Sequence, residues 1–188
     1  MGQLVHSPDD KKLPPDTEVI PYIYSHKFED DLRLSTKAGE LWGTTRDIAL
    51  SRGMLLHYGL SLLYSSDDLL PTLAILVQTG TISEQEYALY YHTMKSIVEH
   101  PALSEHFKKG TDSRNEQTII DENGVILRPD RMVFNNKKAT VIDYKTGDRH
   151  PSHKEQIMAY GRVLRNMGYT IENQILVYIQ DSITTEFI

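Results

Sequence analysis

The sequence predicts a mixed α/β fold, with a mixed central β-sheet flanked by helices and an α-rich N-terminal half. Three observations lead there. Between residues 44 and 64 the apolar positions Ile48, Leu55, Leu56, Leu60 and Leu63 recur at helical spacing. Residues 132–145 hold an apolar run, a polar turn at Asn135-Asn136, and a second run alternating into Asp143, which is the pattern of a β-hairpin. A helical pattern over 152–166, with Gly168 as its stop, precedes an apolar closing strand over 175–179.

The remaining elements follow in order. Residues 1–40 contain Ser7-Pro8-Asp9-Asp10 and Pro14-Pro15-Asp16, the composition of an arm or linker, with 19–24 as a short edge strand or docked segment. The folded domain is expected over 41–188. Its first helix carries His57 near mid-length, and 71–78 reads as a second, short helix ending near Gly80. Ser83-Glu84-Gln85-Glu86 is a capping box that opens a third helix running to about Glu99, followed by a helical turn after Pro101. Segments 116–121 and 124–127 read as strands about a turn at 121–124.

The candidate chemistry lies at the ends of the hairpin. Folding 132–145 back on itself brings Asp130 and Asp143 to one end of the sheet, with Lys145 on the same strand face as Asp143. Two carboxylates and a lysine converging there suit a hard divalent cation and an activated water, the apparatus for hydrolysing phosphodiesters. Asp143 ends a largely apolar strand, where charge is costly unless paired or metal-bound. The plain alternative for Asp130 is an ion pair with Arg128 or Arg131. Helix context alone makes His57 a core or surface histidine. Gln156 and Tyr160 share a helix face, which by itself describes a solvated glutamine and a half-buried tyrosine. His100, His106, His150 and His153 have no coherent metal spacing and read as surface residues.

Pro129-Asp130 with Asp143-Tyr144-Lys145 resembles the PD-(D/E)xK nuclease signature. Gln156-Ile157-Met158-Ala159-Tyr160 resembles the QxxxY motif of the RecB-type branch, and Gly53-Met54-Leu55-Leu56-His57 the Gly-x-x-x-His element that opens such domains. The four elements occur in the family's order, from Gly53 to the C-terminus. The resemblance implies a restriction-endonuclease-like core and Mg²⁺- or Mn²⁺-dependent hydrolysis of DNA, with exonuclease action expected. It implies His57, Asp130, Asp143 and the Tyr144 backbone carbonyl as metal ligands. Asp130, Asp143 and Lys145 become catalytic, and Gln156 and Tyr160 support the site and touch the DNA backbone. Related domains often carry a glutamate where Glu116 stands, and here it reads as a surface residue at a strand start. The rival reading is a non-catalytic DNA-binding or scaffolding module on the same fold, whose mark is loss of an acid or the lysine. A third is a metal-dependent hydrolase acting on nucleotides or RNA.

Composition sets the bounds. The 188 residues suffice for one domain with a sizeable core plus an arm. With no cysteine, neither a disulfide nor a cysteine-held iron–sulfur cluster can form. No apolar run approaches the ~18 residues of a membrane span, so no membrane association and a cytoplasmic location are expected. The formal net charge of −6 is poorly suited to duplex DNA, whose affinity comes mainly from phosphate neutralisation. The domain is therefore expected to bind DNA poorly alone, and the resemblance implies DNA delivery by a helicase or other motor domain, in cis or in trans. The chain then corresponds to the C-terminal domain of a helicase-nuclease acting in DNA repair or recombination.

Overall fold

The computed structural model describes residues 45–188; the predicted arm over 1–40 lies outside them. Helix α1 (Thr45–Ser61) leads through a short 3-10 turn (Ser66–Asp68) into α2 (Leu69–Gln78) and then α3 (Tyr87–Val98). A second 3-10 turn (Ser104–Phe107) precedes β1 (Asp112–Asn115), β2 (Ile119–Ile120), β3 (Ile126–Leu127), β4 (Arg131–Asn135) and β5 (Lys138–Lys145). Helix α4 (Pro151–Asn166) carries the chain across to β6 (Thr170–Ile179) and β7 (Ile183–Phe187). The main sheet has the order β1-β4-β5-β6-β7, with β5 and β6 parallel and the other neighbours antiparallel. Parallel pairing needs a crossover, and α4 supplies it.

Period-two alternation along β5 divides the core between two faces. Ile142 and Tyr144, with Ile175 and Val177 of β6, pack against Leu56, Leu60, Leu73, Met94 and Ile97 of α1, α2 and α3. Val141, Leu176 and Tyr178 point the other way, onto Ile157, Tyr160, Val163 and Leu164 of α4. A mixed sheet flanked by helices, as the sequence predicts, is therefore present. None of the described helices is long and apolar enough to cross a membrane.

The β4–β5 hairpin forms in the expected place, but Asn135 pairs with Lys138, so the two-residue loop is Asn136-Lys137 rather than Asn135-Asn136. Asn136 takes the left-handed conformation (φ 56°), which asparagine tolerates better than most residues. Only half of the expected capping box forms: Ser83 N–H and Oγ both donate to Glu86 Oε2, at 3.0 and 2.7 Å, while the Glu86 N–H goes to the Ser83 carbonyl, and regular helix begins only at Tyr87.

Two strand expectations need correction. The first sheet strand is β1 at Asp112–Asn115, not 116–121, and the expected hairpin shrinks to the two-residue ladder of β2 with β3. Strand β1 is polar because its inward residues are satisfied by hydrogen bonds rather than by apolar packing. Asn115 Nδ2 donates to the carbonyls of Ser61 and Leu63 at 2.8 and 2.9 Å. Strand β7, which no apolar run announces, pairs along the outer edge of β6.

Arg131, the first residue of β4, is only 1% exposed. Its guanidinium donates to the carbonyls of Leu63 (2.6 Å), Tyr64 (2.8 Å) and His106 (2.8 Å) and to Asn115 Oδ1 (3.0 Å), and lies over the Phe107 ring. It thus fastens the end of α1 to β1, β4 and the second 3-10 turn. Arg131→Leu removes four hydrogen bonds, three of them to main-chain carbonyls, and the expected loss is at least about 3 kcal/mol of unfolding free energy. Urea denaturation followed by circular dichroism measures it, and an unchanged midpoint contradicts the assignment.

Candidate metal centre at the end of the hairpin

The β4–β5 register runs Met132↔Val141 and Arg131↔Ile142, and continued by one position it sets Asp130 opposite Asp143. Asp130 is held from two sides. Its Oδ1 lies 3.3 Å from His57 Nδ1, and its Oδ2 accepts the Tyr144 backbone N–H at 2.7 Å. Its partner is therefore His57, not Arg128 or Arg131, across 73 residues of sequence.

Two contacts bring α1 close enough. Gly53, one turn before His57, lies against Thr146 just beyond β5, where an added Cβ would meet Thr146 Oγ1 at 2.6 Å. The His57 ring then meets Tyr144 edge-on, with centroids 6.0 Å apart. Burial works against protonation of His57, but its hydrogen bond to Asp130 and the charges of Asp130, Asp143 and Glu116 outweigh it, raising its pKa above the usual value.

Glu116 completes the group. One ligand atom from each of His57, Glu116 and Asp130 falls within 4.8 Å of the others, the one such cluster of three or more among the described residues. Reading Glu116 as a surface residue is therefore incorrect: it is half-buried, its N–H donates to the Asp130 carbonyl at 3.0 Å, and its carboxylate pairs with Arg128 at 2.7 Å. It adopts a left-handed backbone (φ 52°), uncommon outside glycine, which turns the chain out of β1 and back towards Asp130. Burial, and then the nearby Asp130 carboxylate, raise its pKa.

Asp143 stands outside that cluster, although the resemblance assigns it to the ligand set with His57 and Asp130. It is 2% exposed and its Oδ2 lies 2.6 Å from Lys145 Nζ. Lys145 also donates to Gln156 Oε1 at 2.8 Å, and Gln156 Nε2 donates to Tyr160 Oη at 2.7 Å. Tyr160 in turn donates to the Arg128 carbonyl at 3.4 Å, so the chain of contacts returns to the segment leading into Asp130. Gln156 and Tyr160 thus do share a face directed at Lys145. Gly161 lets α4 approach, since a Cβ there would meet the Gln174 side chain at 2.8 Å. At Tyr144 the contact made with the site is that of the backbone N–H, to Asp130 Oδ2.

The remaining histidines split. His150 caps α4, accepting the Ser152 N–H at 3.2 Å, and His106 is half-buried with its pKa lowered by burial and by Arg131. His150 is thus exposed, as expected, and of these two only His106 departs from a plain surface position.

No family model and no curated protein sequence matches this chain. A solved structure described as "Crystal structure of SSO0001" is 21% identical over 74% of this chain and 77% of its own, with a TM-score of 0.33. Similarity at that level carries no argument about fold or function.

Burial first, and then the neighbouring Asp130 carboxylate, push Asp143 up to about 6, against the opposing pull of Lys145 and His57. The folded protein therefore keeps a proton that the unfolded chain releases above about pH 4. Stability falls as pH rises from about 4 to 6, and the whole cost, at most about 3 kcal/mol, is present above that. Asp143→Asn removes it. Calorimetry in EDTA should find the variant's Tm above the wild-type value at pH 7.5, with the gain shrinking towards pH 4. A lower Tm for the variant at pH 7.5 contradicts the electrostatic account.

Proposed function

We propose that this chain is a divalent-cation-dependent deoxyribonuclease with a restriction-endonuclease-like core, similar to the RecB-type PD-(D/E)xK nucleases. The observation that carries the reading is a convergence. His57, Glu116 and Asp130 come from three separated segments and gather within 4.8 Å, beside an Asp143–Lys145 pair closed at 2.6 Å. The donor set fits a cation: one imidazole nitrogen and several carboxylate oxygens suit Mg²⁺ or Mn²⁺ better than a structural zinc. Glu116 and Asp143 are both raised, in part by the charge of Asp130, the crowding a bound cation relieves.

His57, Glu116 and Asp130 would hold the ion, with Asp143 as the adjoining carboxylate. When bound, the cation supplies Lewis acidity and offsets negative charge on the phosphoryl oxygens. The protein's own groups do the rest. His57 and the Tyr144 N–H fix the orientation of Asp130. Lys145 presents an ammonium, steadied by Gln156, where charge builds on a scissile phosphate. Tyr160 braces Gln156 as a neutral phenol, because burial and the charges of Asp143 and Asp130 raise its pKa far above neutrality. Neither acid nor the lysine is missing, which favours catalysis over a purely binding module. The net charge of −6 makes the domain a poor DNA binder alone, and the resemblance to RecB-type nucleases supports delivery of its DNA by a motor domain, in cis or in trans.

Lys145→Met and Asp130→Asn should each lower cleavage of linear DNA in Mg²⁺ or Mn²⁺ by a factor of about 100 or more. His57→Ala and Glu116→Gln should weaken calorimetrically measured Mn²⁺ affinity, with cleavage partly restored by excess Mn²⁺. Undiminished cleavage by Lys145→Met in metal-replete buffer overturns the reading.

A further inference from the structure

A strip of cationic side chains runs away from Lys145 across the α4 face of the sheet. Lys145 pairs in register with Tyr178 on β6, and Tyr178 pairs with Thr184 on β7. Paired residues face the same way, so the three mark a line across three strands, about 10 Å long. Arg149 lies along it: its guanidinium sits 4.7 Å from the centre of the Tyr178 ring, and Nη2 reaches Thr184 Oγ1 at 3.5 Å. His153 covers the same tyrosine, with ring centroids 6.0 Å apart; burial, and then the charges of Lys145 and His150, lower its pKa, so it lines the strip as a hydrogen-bonding ring rather than as a further cation. Lys154 follows on α4. Residues 145–154 thus carry Lys145, Arg149, Lys154 and two histidines against one acid, in a chain whose net charge is −6. That acid, Asp148, accepts from Gln180 at 3.3 Å.

One carboxylate holds the outer end. Glu186 on β7 takes Lys154 Nζ at 2.5 Å and Arg149 Nη1 at 3.6 Å, while the two cations stay 49% and 60% exposed. A carboxylate between two exposed cations occupies the place a phosphate diester would take. Tyr178 is buried beneath Arg149 and His153, so it offers no face for stacking a base. The strip therefore suits backbone phosphates rather than base edges, and its single file suits one strand.

We propose that Arg149, His153 and Lys154 form a phosphate track that guides a single DNA strand to Lys145, with Glu186 as an internal competitor that the strand displaces. The proposal rests on the nuclease reading only in placing the cleavage centre at the track's inner end. Binding to the track needs no turnover.

The test is fluorescence anisotropy of a labelled oligothymidylate with the full chain in Ca²⁺ buffer, across a KCl titration. Arg149→Gln and Lys154→Gln should each weaken binding and flatten the salt dependence by about 0.7 in log–log slope, one phosphate contact apiece. Glu186→Gln should tighten binding several-fold, a gain that misfolding cannot produce. Unchanged affinity and slope in all three variants overturn the track, as does tighter binding of a duplex of equal length. The two readings separate cleanly. Variants that shift binding in a protein that cleaves nothing leave the track standing and sink the nuclease. Cleavage whose KM ignores Arg149→Gln and Lys154→Gln does the reverse.

Discussion

The buried guanidinium of Arg131 is the constraint on which the site depends. A charge at 1% exposure is costly, and here the compensation is three main-chain carbonyls, an asparagine oxygen and an aromatic face. The carbonyls of Leu63 and Tyr64 lie just past α1, so the helix end is fixed to the first residue of β4. Asp130 immediately precedes that residue and His57 lies two turns back along α1. Their meeting thus follows from a structural bond one residue away from the chemistry. A conservative lysine could not reproduce the fork, because one ammonium cannot address carbonyls spread over separate elements.

Around that anchor the site accumulates unfavourable electrostatics. Asp130, Asp143 and Glu116 approach one another in partly buried surroundings, and the internal cations only partly offset them: His57 at Asp130, Lys145 at Asp143 and Arg128 at Glu116. The left-handed backbone at Glu116 adds about 1–3 kcal/mol of local strain. It persists because the Glu116 N–H is committed to the Asp130 carbonyl and its carboxylate to Arg128. A stability optimum would dispense with these features. Their concentration at one end of one hairpin supports the proposed cation site.

Much of this was legible in the sequence, for identifiable reasons. The β4–β5 hairpin, α4 and the helical first half follow apolar periodicity, which tertiary contacts reinforced. Asp130, Asp143 and Lys145 were readable because the hairpin and its strand period put them at one end of the sheet, whereas Gln156 and Tyr160, which share a helix face, were singled out only by the resemblance to the RecB-type motif. Strand β1 was not readable, since Ser113 and Asn115 fill inward positions with polar groups whose partners lie some 50 residues away in sequence. Glu116 was missed because the turn that aims it inward depends on a left-handed non-glycine residue, which no local signal announces. Arg131 gave no signal either: an arginine opening a strand is ordinarily exposed, and only assembly of α1 against the sheet shows what it binds.

The central claim is that His57, Glu116 and Asp130 together form a cation site. Crystals of the chain soaked in MnCl₂ and measured near the manganese absorption edge address it most directly. The account predicts an anomalous peak within coordination distance, about 2.0–2.3 Å, of the His57 imidazole and the Glu116 and Asp130 carboxylates. A peak confined to other carboxylates, or none at these three residues at millimolar Mn²⁺, contradicts it.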